Sequence, residues 1–512
     1  MQYRLVIFVL GWILVFFSVS MAPSLLVSYI YGDGGDKAIA LAMLATALVG
    51  ASLAVTHKPD DQTDDITPRD GFLIVTGGWF LCGLFGALPF FFAQTFAPQA
   101  PANDAAFFAQ TFAEITPANA AAGLWLSFSN SVFESLSGLT TTGASVLTDF
   151  NQPHGIMFWR STTHWLGGMG IIVLSLAILP LIGAGGMQLF RTEAPGPVQD
   201  RLKPRIADTA MTLSKVYILL TLLQTAALWF CGMTVFDALC HSFGTVATGG
   251  FSTHAQSVSG YQSPAINYVI SFFMVLAGAN FALHYRFLKG QTNIYWKSAE
   301  FRAYFSIILI ATLGLTFLVY QNGDQPSVLS SLEHGLFQAA SIMTTTGFAT
   351  ADFEVWHPLA QMGLFLLMFV GGCAGSTGGG IKVVRIVLLA KIAYREMYRL
   401  LYPAAVVMIK MDEKTVPDKV LSGISGFFIL ATAVFIVSIG ILSAHGIDFV
   451  TSMTATAACL FNIGPGLGAV GPYDNYAGLP ILIKWWLTFC MVVGRLEFYS
   501  VLILTAPDFW RR

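Results

Sequence analysis

Four residues, Thr140-Thr141-Thr142-Gly143, follow the apolar stretch 128–139, which is too short to cross a bilayer. Kindred phrases stand further along: Ala247-Thr248-Gly249-Gly250-Phe251, Thr344-Thr345-Thr346-Gly347-Phe348 and a degenerate Phe461-Asn462-Ile463-Gly464-Pro465. With Gly143, Gly249, Gly347 and Gly464 taken as equivalent, subtraction gives spacings of 106, 98 and 117 residues. Near-equal spacing of a short motif marks an internal repeat. A half-span ending in a Thr/Gly turn, four times over, is what a pore lined by backbone carbonyls requires. Glycine permits such a turn because it tolerates φ > 0.

Composition places these turns in a membrane. Of 512 residues, 55% are hydrophobic and only 11% are charged, against roughly 25% charged in a soluble protein. Several segments exceed the roughly 20 apolar residues that span a bilayer. The fold class expected is therefore an all-α polytopic membrane protein. It consists of a leading transmembrane helix pair (1–57) and four pseudo-repeats of span, half-span and span around a central pore. The repeats cover 71–184, 208–288, 299–392 and 417–505. Within them the half-spans are read at 128–142, 236–248, 332–346 and 449–463. The closing spans are read as 156–182, 266–287, 359–390 and 479–504. Six cysteines, all in apolar segments and none in a CxxC pair, support neither a disulfide framework nor a metal site. No covalently bound cofactor and no nucleic-acid partner are expected.

Basic residues test this map. No Lys or Arg falls in 38–57, 90–159, 249–285 or 420–483, whereas clusters follow each unit: Arg191, Arg201, Lys203 and Arg205; Arg286, Lys289, Lys297 and Arg302; Lys391, Arg395 and Arg399; Arg511 and Arg512. The positive-inside rule then puts both termini in the cytoplasm and gives every repeat the same orientation, as a central pore needs. Outer segments carry Asp104, Glu114, Asp149, Asp324, Asp352, Glu354 and Asp474, a sign bias that would concentrate cations at the mouth. Arg160 and Lys484 depart from the pattern. Arg160 and His164 share a helix face near the outer edge, where snorkelling or packing accounts for them.

Non-helical backbone at membrane depth survives only inside protein or beside water. The residues expected to line the pore are Thr141, Thr142, Gly143, Thr248, Gly249, Thr345, Thr346, Gly347, Asn462, Ile463 and Gly464. No carboxylate sits in the turns, and carbonyls without fixed negative side chains suit a dehydrated monovalent cation better than a divalent one. These turns, with His164–Gly170 (HWLGGMG) and the glycine run 371–382, resemble the membrane subunit of bacterial Trk-type potassium uptake systems, in the wider Trk/Ktr/HKT superfamily. The resemblance covers nearly the whole chain. It implies potassium uptake across the bacterial inner membrane, a homodimer and a cytosolic nucleotide-binding regulatory partner. Val246-Ala247-Thr248-Gly249 and Phe461-Asn462-Ile463-Gly464 depart from the Thr-Thr-Thr-Gly form, so the filter is irregular.

The run Gly371-Gly372-Cys373-Ala374-Gly375-Ser376-Thr377-Gly378-Gly379-Gly380 interrupts an apolar segment. Each Gly costs a helix about 1 kcal/mol against Ala. A break beneath the filter is expected, with Gly375, Ser376, Thr377, Gly378 and Gly379 as the gate. This resembles the family's intramembrane gating loop. Arg495, inside the last span, is expected as a positive barrier below the filter, because intramembrane charges face a cavity or a partner. On a continuous helix Glu497, two residues on, would point to a different face. Within transport the rival reading is a sodium-permeable or ion-coupled symporter. Outside it, the rival is a polytopic membrane enzyme, which would need clustered His, Asp, Glu or Cys at membrane depth. His164, His241 and His334 fall in different repeats without metal-ligand spacing.

Overall fold

The structure is a computed structural model that describes residues 1–59, 67–96, 117–170 and 206–511. The end of the expected span 156–182, the basic cluster Arg191 to Arg205, Arg512, Asp104 and Glu114 lie outside the described residues. Among the described residues the only strands are Lys410–Met411 and Lys414–Thr415, paired as a small antiparallel hairpin; the fold is otherwise helical.

The leading pair runs Tyr3–Ser20, Ala22–Tyr31 and Asp36–Thr56. Its contact depends on small residues. A Cβ on Gly11 would stand 2.6 Å from Ala54 N, and one on Gly50 would stand 2.8 Å from Gly11 O. Where lipid is as apolar as leucine, such close backbone approach is what drives helices together.

Each repeat contributes an opening helix: Pro68–Gly86, Ile206–Phe230, Ala299–Gln321 and Asp418–Ala444. The half-helices are Pro117–Leu139, Val235–Val246, Val328–Met343 and Phe449–Leu460. Three of them start on the same device: Thr234, Ser327 and Asp448 accept from the backbone N–H of Asp237, Ser330 and Thr451 at 3.0, 3.1 and 2.9 Å. A polar N-cap fixes where the short helix begins by satisfying an otherwise orphaned donor. The first half-helix has 23 residues, roughly 34 Å at 1.5 Å per residue. It is longer than its sequence suggests, so its packing rather than its length makes it one of the four.

The closing helices differ most from expectation. His154–Met169 stops at Gly170, whose φ is +70°. Pro264–Ala277 and Phe281–Leu288 meet at 99°, and Ile481–Arg495 turns by 112° into the next short helix. Pro358–Leu367 is separated from Val383–Leu401 by the glycine-rich loop. Sequence reading expected a break only in the third repeat, where glycines are dense; the second and fourth spans are broken as well. The second break is made by Gly278-Ala279-Asn280, with the Tyr304 hydroxyl occupying the space a Cβ on Gly278 would need. The fourth is made by Glu497 and Phe498, at φ +55° and +61°.

His154–Met169 packs on the second half-helix, Pro264–Ala277 on the third, and Ile481–Arg495 on the first. The fourth repeat thereby returns to the first, and the half-helices stand in a ring.

Candidate functional site

Each half-helix ends in the same turn. Thr142 N–H donates to Ser137 O at 2.9 Å, Gly249 N–H to Gly244 O at 2.7 Å, Thr346 N–H to Ser341 O at 2.8 Å and Ile463 N–H to Ala458 O at 2.8 Å. One residue earlier the chain is left-handed: Thr141 at φ +53°, Thr248 at +57°, Thr345 at +61° and Asn462 at +57°. This is a helix-terminating Schellman turn with Thr or Asn where Gly is usual. Holding a β-branched residue there costs on the order of 1–3 kcal/mol, and such strain collects at functional sites.

Two residues after each left-handed residue comes a glycine at positive φ: Gly143, Gly250, Gly347 and Gly464. The backbone therefore aligns Gly250, not Gly249, with the other three. The corrected spacings are 107 (250 − 143), 97 (347 − 250) and 117 (464 − 347) residues. Gly249 takes the place of Thr142, Thr346 and Ile463. Its own reason for being glycine is the His164 ring, which fills the space of a Cβ.

The four turns close on one another. A Cβ on Gly143 would strike Gly249 O, one on Gly250 Thr346 O, one on Gly347 Ile463 O, and one on Gly464 Thr142 O. Glycines and carbonyl oxygens thus alternate through all four repeats and back to the first. Thr141, Thr142, Thr248, Thr345, Thr346 and Asn462 are fully buried. The ring is not four-fold in its side chains. Hydroxyls brace repeats 1 and 3, Thr140 to Thr142 at 2.8 Å and Thr344 to Thr346 at 2.7 Å. In repeat 4, Asn462 Nδ2 donates to Thr142 Oγ1 and to Met491 O, both at 2.9 Å.

A second set of ties links the segments beyond the turns. Arg160 Nη1 donates to Ser252 O at 2.8 Å, joining repeats 1 and 2. Val258 N–H donates to Ala349 O at 3.1 Å, joining 2 and 3. Gly468 N–H donates to Glu354 Oε1 at 2.5 Å, joining 3 and 4, and Tyr476 N–H donates to Ser145 O at 2.8 Å, joining 4 and 1. Arg160 is therefore no snorkelling residue. It is buried, donates to Glu134 Oε1 at 2.6 Å, and lies over the Phe251 ring at 3.6 Å. Glu134 in turn accepts from Ser145 Oγ and Val146 N–H at 2.8 and 2.9 Å. His164 Nε2 accepts from Phe251 N–H at 3.1 Å while Nδ1 lies 2.8 Å from Gly138 O. One neutral tautomer meets both contacts.

The glycine-rich loop presses against three of the four turns. Thr377 Oγ1 donates to Val246 O at 2.9 Å, and Gly379 N–H donates to Thr345 Oγ1 at 2.6 Å. A Cβ on Gly378 would meet Thr344 O at 3.1 Å, and one on Gly379 would meet Phe461 O at 2.7 Å. Gly375 and Ser376 sit differently. Gly375 O accepts from Phe281 N–H at 3.0 Å at the break in repeat 2, and Ser376 Oγ folds back on Cys373 O at 2.6 Å. Arg495 donates to Thr377 O at 2.9 Å and to Gly167 O at 2.7 Å, so it touches the loop and repeat 1 together. Glu300 holds both ends of the loop, accepting from Ala374 N–H at 2.6 Å and Val384 N–H at 3.2 Å.

The model of the TrkH family, described as cation transport protein, matches residues 71–512. The chain belongs to that family. It is 40% identical over 514 residues to the Trk system potassium uptake protein TrkH of Salmonella typhimurium, covering 100% of both chains. It is 33% identical over 511 residues to the Trk system potassium uptake protein TrkG of Escherichia coli, covering 99% of each. The crystal structure of the potassium transporter TrkH from Vibrio parahaemolyticus matches with a TM-score of 0.83 at 37% identity, covering 100% of both chains.

Within this TrkH-family fold the expected pore residues of all four repeats come together, and Arg495 meets the expected loop. Residues that sequence reading missed are Gly250, Glu134, Glu300, Lys382, Arg385 and Glu497. Gly250 was visible beside Gly249, but only the backbone register distinguishes them. Lys382 was passed over as the end of the glycine run 371–382, and Arg385 lay inside the span read as 359–390.

Proposed function

We propose that the chain carries potassium into the cell through the ring of four turns, with the 371–380 loop as its gate and Arg495 as a positive barrier. The closed alternation of four glycines with four backbone carbonyls carries this reading. Carbonyl oxygens can replace the water around a dehydrated monovalent cation, and the C-terminal ends of the half-helices add negative potential. The names of its relatives as potassium uptake proteins support the choice of ion. The ties between Gln2 N–H and Asp70 Oδ1 at 2.9 Å and between Arg69 Nη1 and Arg511 O at 2.6 Å bring the two ends of the chain near one another, which supports both termini lying on one side. Basic placement supports a cytoplasmic side, in a multi-pass protein of the bacterial inner membrane.

A homodimer and a cytosolic nucleotide-binding partner remain part of this proposal by resemblance. The basic residues of Val383–Leu401 are partly engaged already. Lys391 Nζ donates to Lys410 O at 2.7 Å, and Arg395 pairs with Asp418 at 2.9 Å. Lys391 ties that helix to the following hairpin and Arg395 ties it to the start of Asp418–Ala444, and a partner gripping the hairpin would pull on it. One observation favours the sodium-permeable rival: Gly249 and Ile463 lack the hydroxyl that braces Thr142 and Thr346. Purified protein in liposomes decides between them. Potassium flux that exceeds sodium flux and needs no opposing sodium or proton gradient supports the channel-like reading; equal fluxes, or obligatory coupling, refute it.

A further inference from the structure

The first turn of Val383–Leu401 and the break in repeat 4 are joined by a part-buried ion pair, Arg385 to Glu497. Glu497 stands two residues after Arg495, in a turn where Glu497 and Phe498 are both left-handed at φ +55° and +61°. Arg495 grips Thr377 O. Lys382, three residues before Arg385, grips the adjacent carbonyl, Gly378 O. The two carbonyls at the loop's tip are thus each held by a tethered cation, one from repeat 4 and one from the loop's own downstream end. We propose that the Arg385–Glu497 pair is a latch that couples these two grips: it sets the position of Arg495 and releases it when Val383–Leu401 moves. Arg385 and Glu497 are positioning residues for the gate, and the proposal rests on the gate reading above.

Two features favour a latch over a purely structural pair. The ion pair is part-buried, and among the described residues Arg385 Nη1 and Glu497 Oε1 have no hydrogen-bond partner. Because the pair lies at the edge of the interior and is incompletely satisfied, water can take up its charges as it opens, unlike the enclosed Arg160–Glu134 pair. The Arg385–Glu497 pair can therefore be broken and remade at low cost. Second, Arg385 lies 4.1 Å over the Phe427 ring of the opening helix of repeat 4. This contact keeps the guanidinium placed when the carboxylate leaves. The turn that carries Glu497 is strained, so releasing it favours relaxation and displacement of the adjoining Arg495.

The test is potassium flux per folded protein in liposomes for Glu497→Gln, Arg495→Ala, their double variant, and a chain shortened within 375–379. The latch predicts that Glu497→Gln raises basal flux about fivefold or more, the effect of losing a modest interaction from a two-state equilibrium. It also predicts that the same change adds nothing on the Arg495→Ala background, while the potassium-to-sodium ratio stays that of the native chain. Additive effects in the double variant, or no rise in Glu497→Gln while the shortened loop does raise flux, overturn the latch and leave the gate standing. A shortened loop that loses flux overturns the gate and the latch with it. If Glu497→Gln is poorly folded, Arg385→Lys serves instead, keeping the charge but not the guanidinium fork, and must raise flux in the same Arg495-dependent way.

Discussion

Thr141, Thr248 and Thr345 hold a backbone conformation that β-branched residues avoid, and the cost is met by what packs behind them. Arg160 and Glu134 are the clearest part of that support. Removing one member leaves an uncompensated buried charge, a loss of roughly 3–5 kcal/mol. Arg160→Met should therefore lower the melting temperature of the detergent-solubilised protein sharply, and adding Glu134→Gln should recover part of the loss. Equal melting of native and Arg160→Met protein would show that the network is incidental. Sequence reading found the strained residues because Thr and Gly cluster visibly. It left Arg160 between snorkelling and packing, because an arginine near a span end looks the same whether it reaches for water or for a carboxylate 26 positions earlier in the chain. It chose Gly249 over Gly250 because two adjacent glycines carry no register; only the His164 ring against one and Thr346 O against the other separates their roles.

At the scale of elements, three of the half-helices are defined at both ends, by a cap and by a left-handed turn. That of repeat 4 depends on Asp448, whose carboxyl is held below its ordinary pKa by the Thr451 hydroxyl and the Thr451 N–H. Asp448→Ala should cost about 1 kcal/mol, and Asp448→Asn much less, since asparagine caps equally well. Chemical or thermal denaturation of the two variants checks this; equal losses would mean that charge, not capping, is what Asp448 supplies. The half-helices and the loop in repeat 3 could be read from composition and spacing. The breaks in repeats 2 and 4 could not. Glu497 and Phe498 carry no glycine or proline signal, and their left-handed turn is imposed by the packing around them. Glu497 does face a different partner from Arg495, as expected, but that partner, Arg385, comes from another repeat and could not be seen in the sequence.

The whole molecule is two stacked closures: the ring of turns, and the ties among the segments beyond them. Of those ties, Glu354 is sensitive to pH. Burial raises its pKa, and Asp352 and Asp474 add to this against the lowering by Gly468 N–H. A carboxylic acid with a raised folded-state pKa contributes stability that is full below its unfolded value and is lost as pH rises through the folded value. Stability should accordingly fall as pH climbs from about 4.5 upward, and Glu354→Gln should flatten that part of the profile while keeping an acceptor for Gly468. Melting curves across pH 4 to 8, with an unchanged slope in Glu354→Gln, would contradict it. Four-fold repetition was legible because selection for a pore repeats a short motif; the ties were not, since Ser145 to Tyr476 and Ser252 to Arg160 are pairings across repeats with no motif of their own. The central claim is that the ring of turns selects the ion. Gly143 has φ +77°, and a Cβ there would strike Gly249 O in the neighbouring turn. The most direct measurement is the potassium-to-sodium permeability ratio of native and Gly143→Ser protein in liposomes, normalised to folded protein. A lower ratio in Gly143→Ser is the predicted result; an unchanged ratio in well-folded protein would place the selecting element elsewhere.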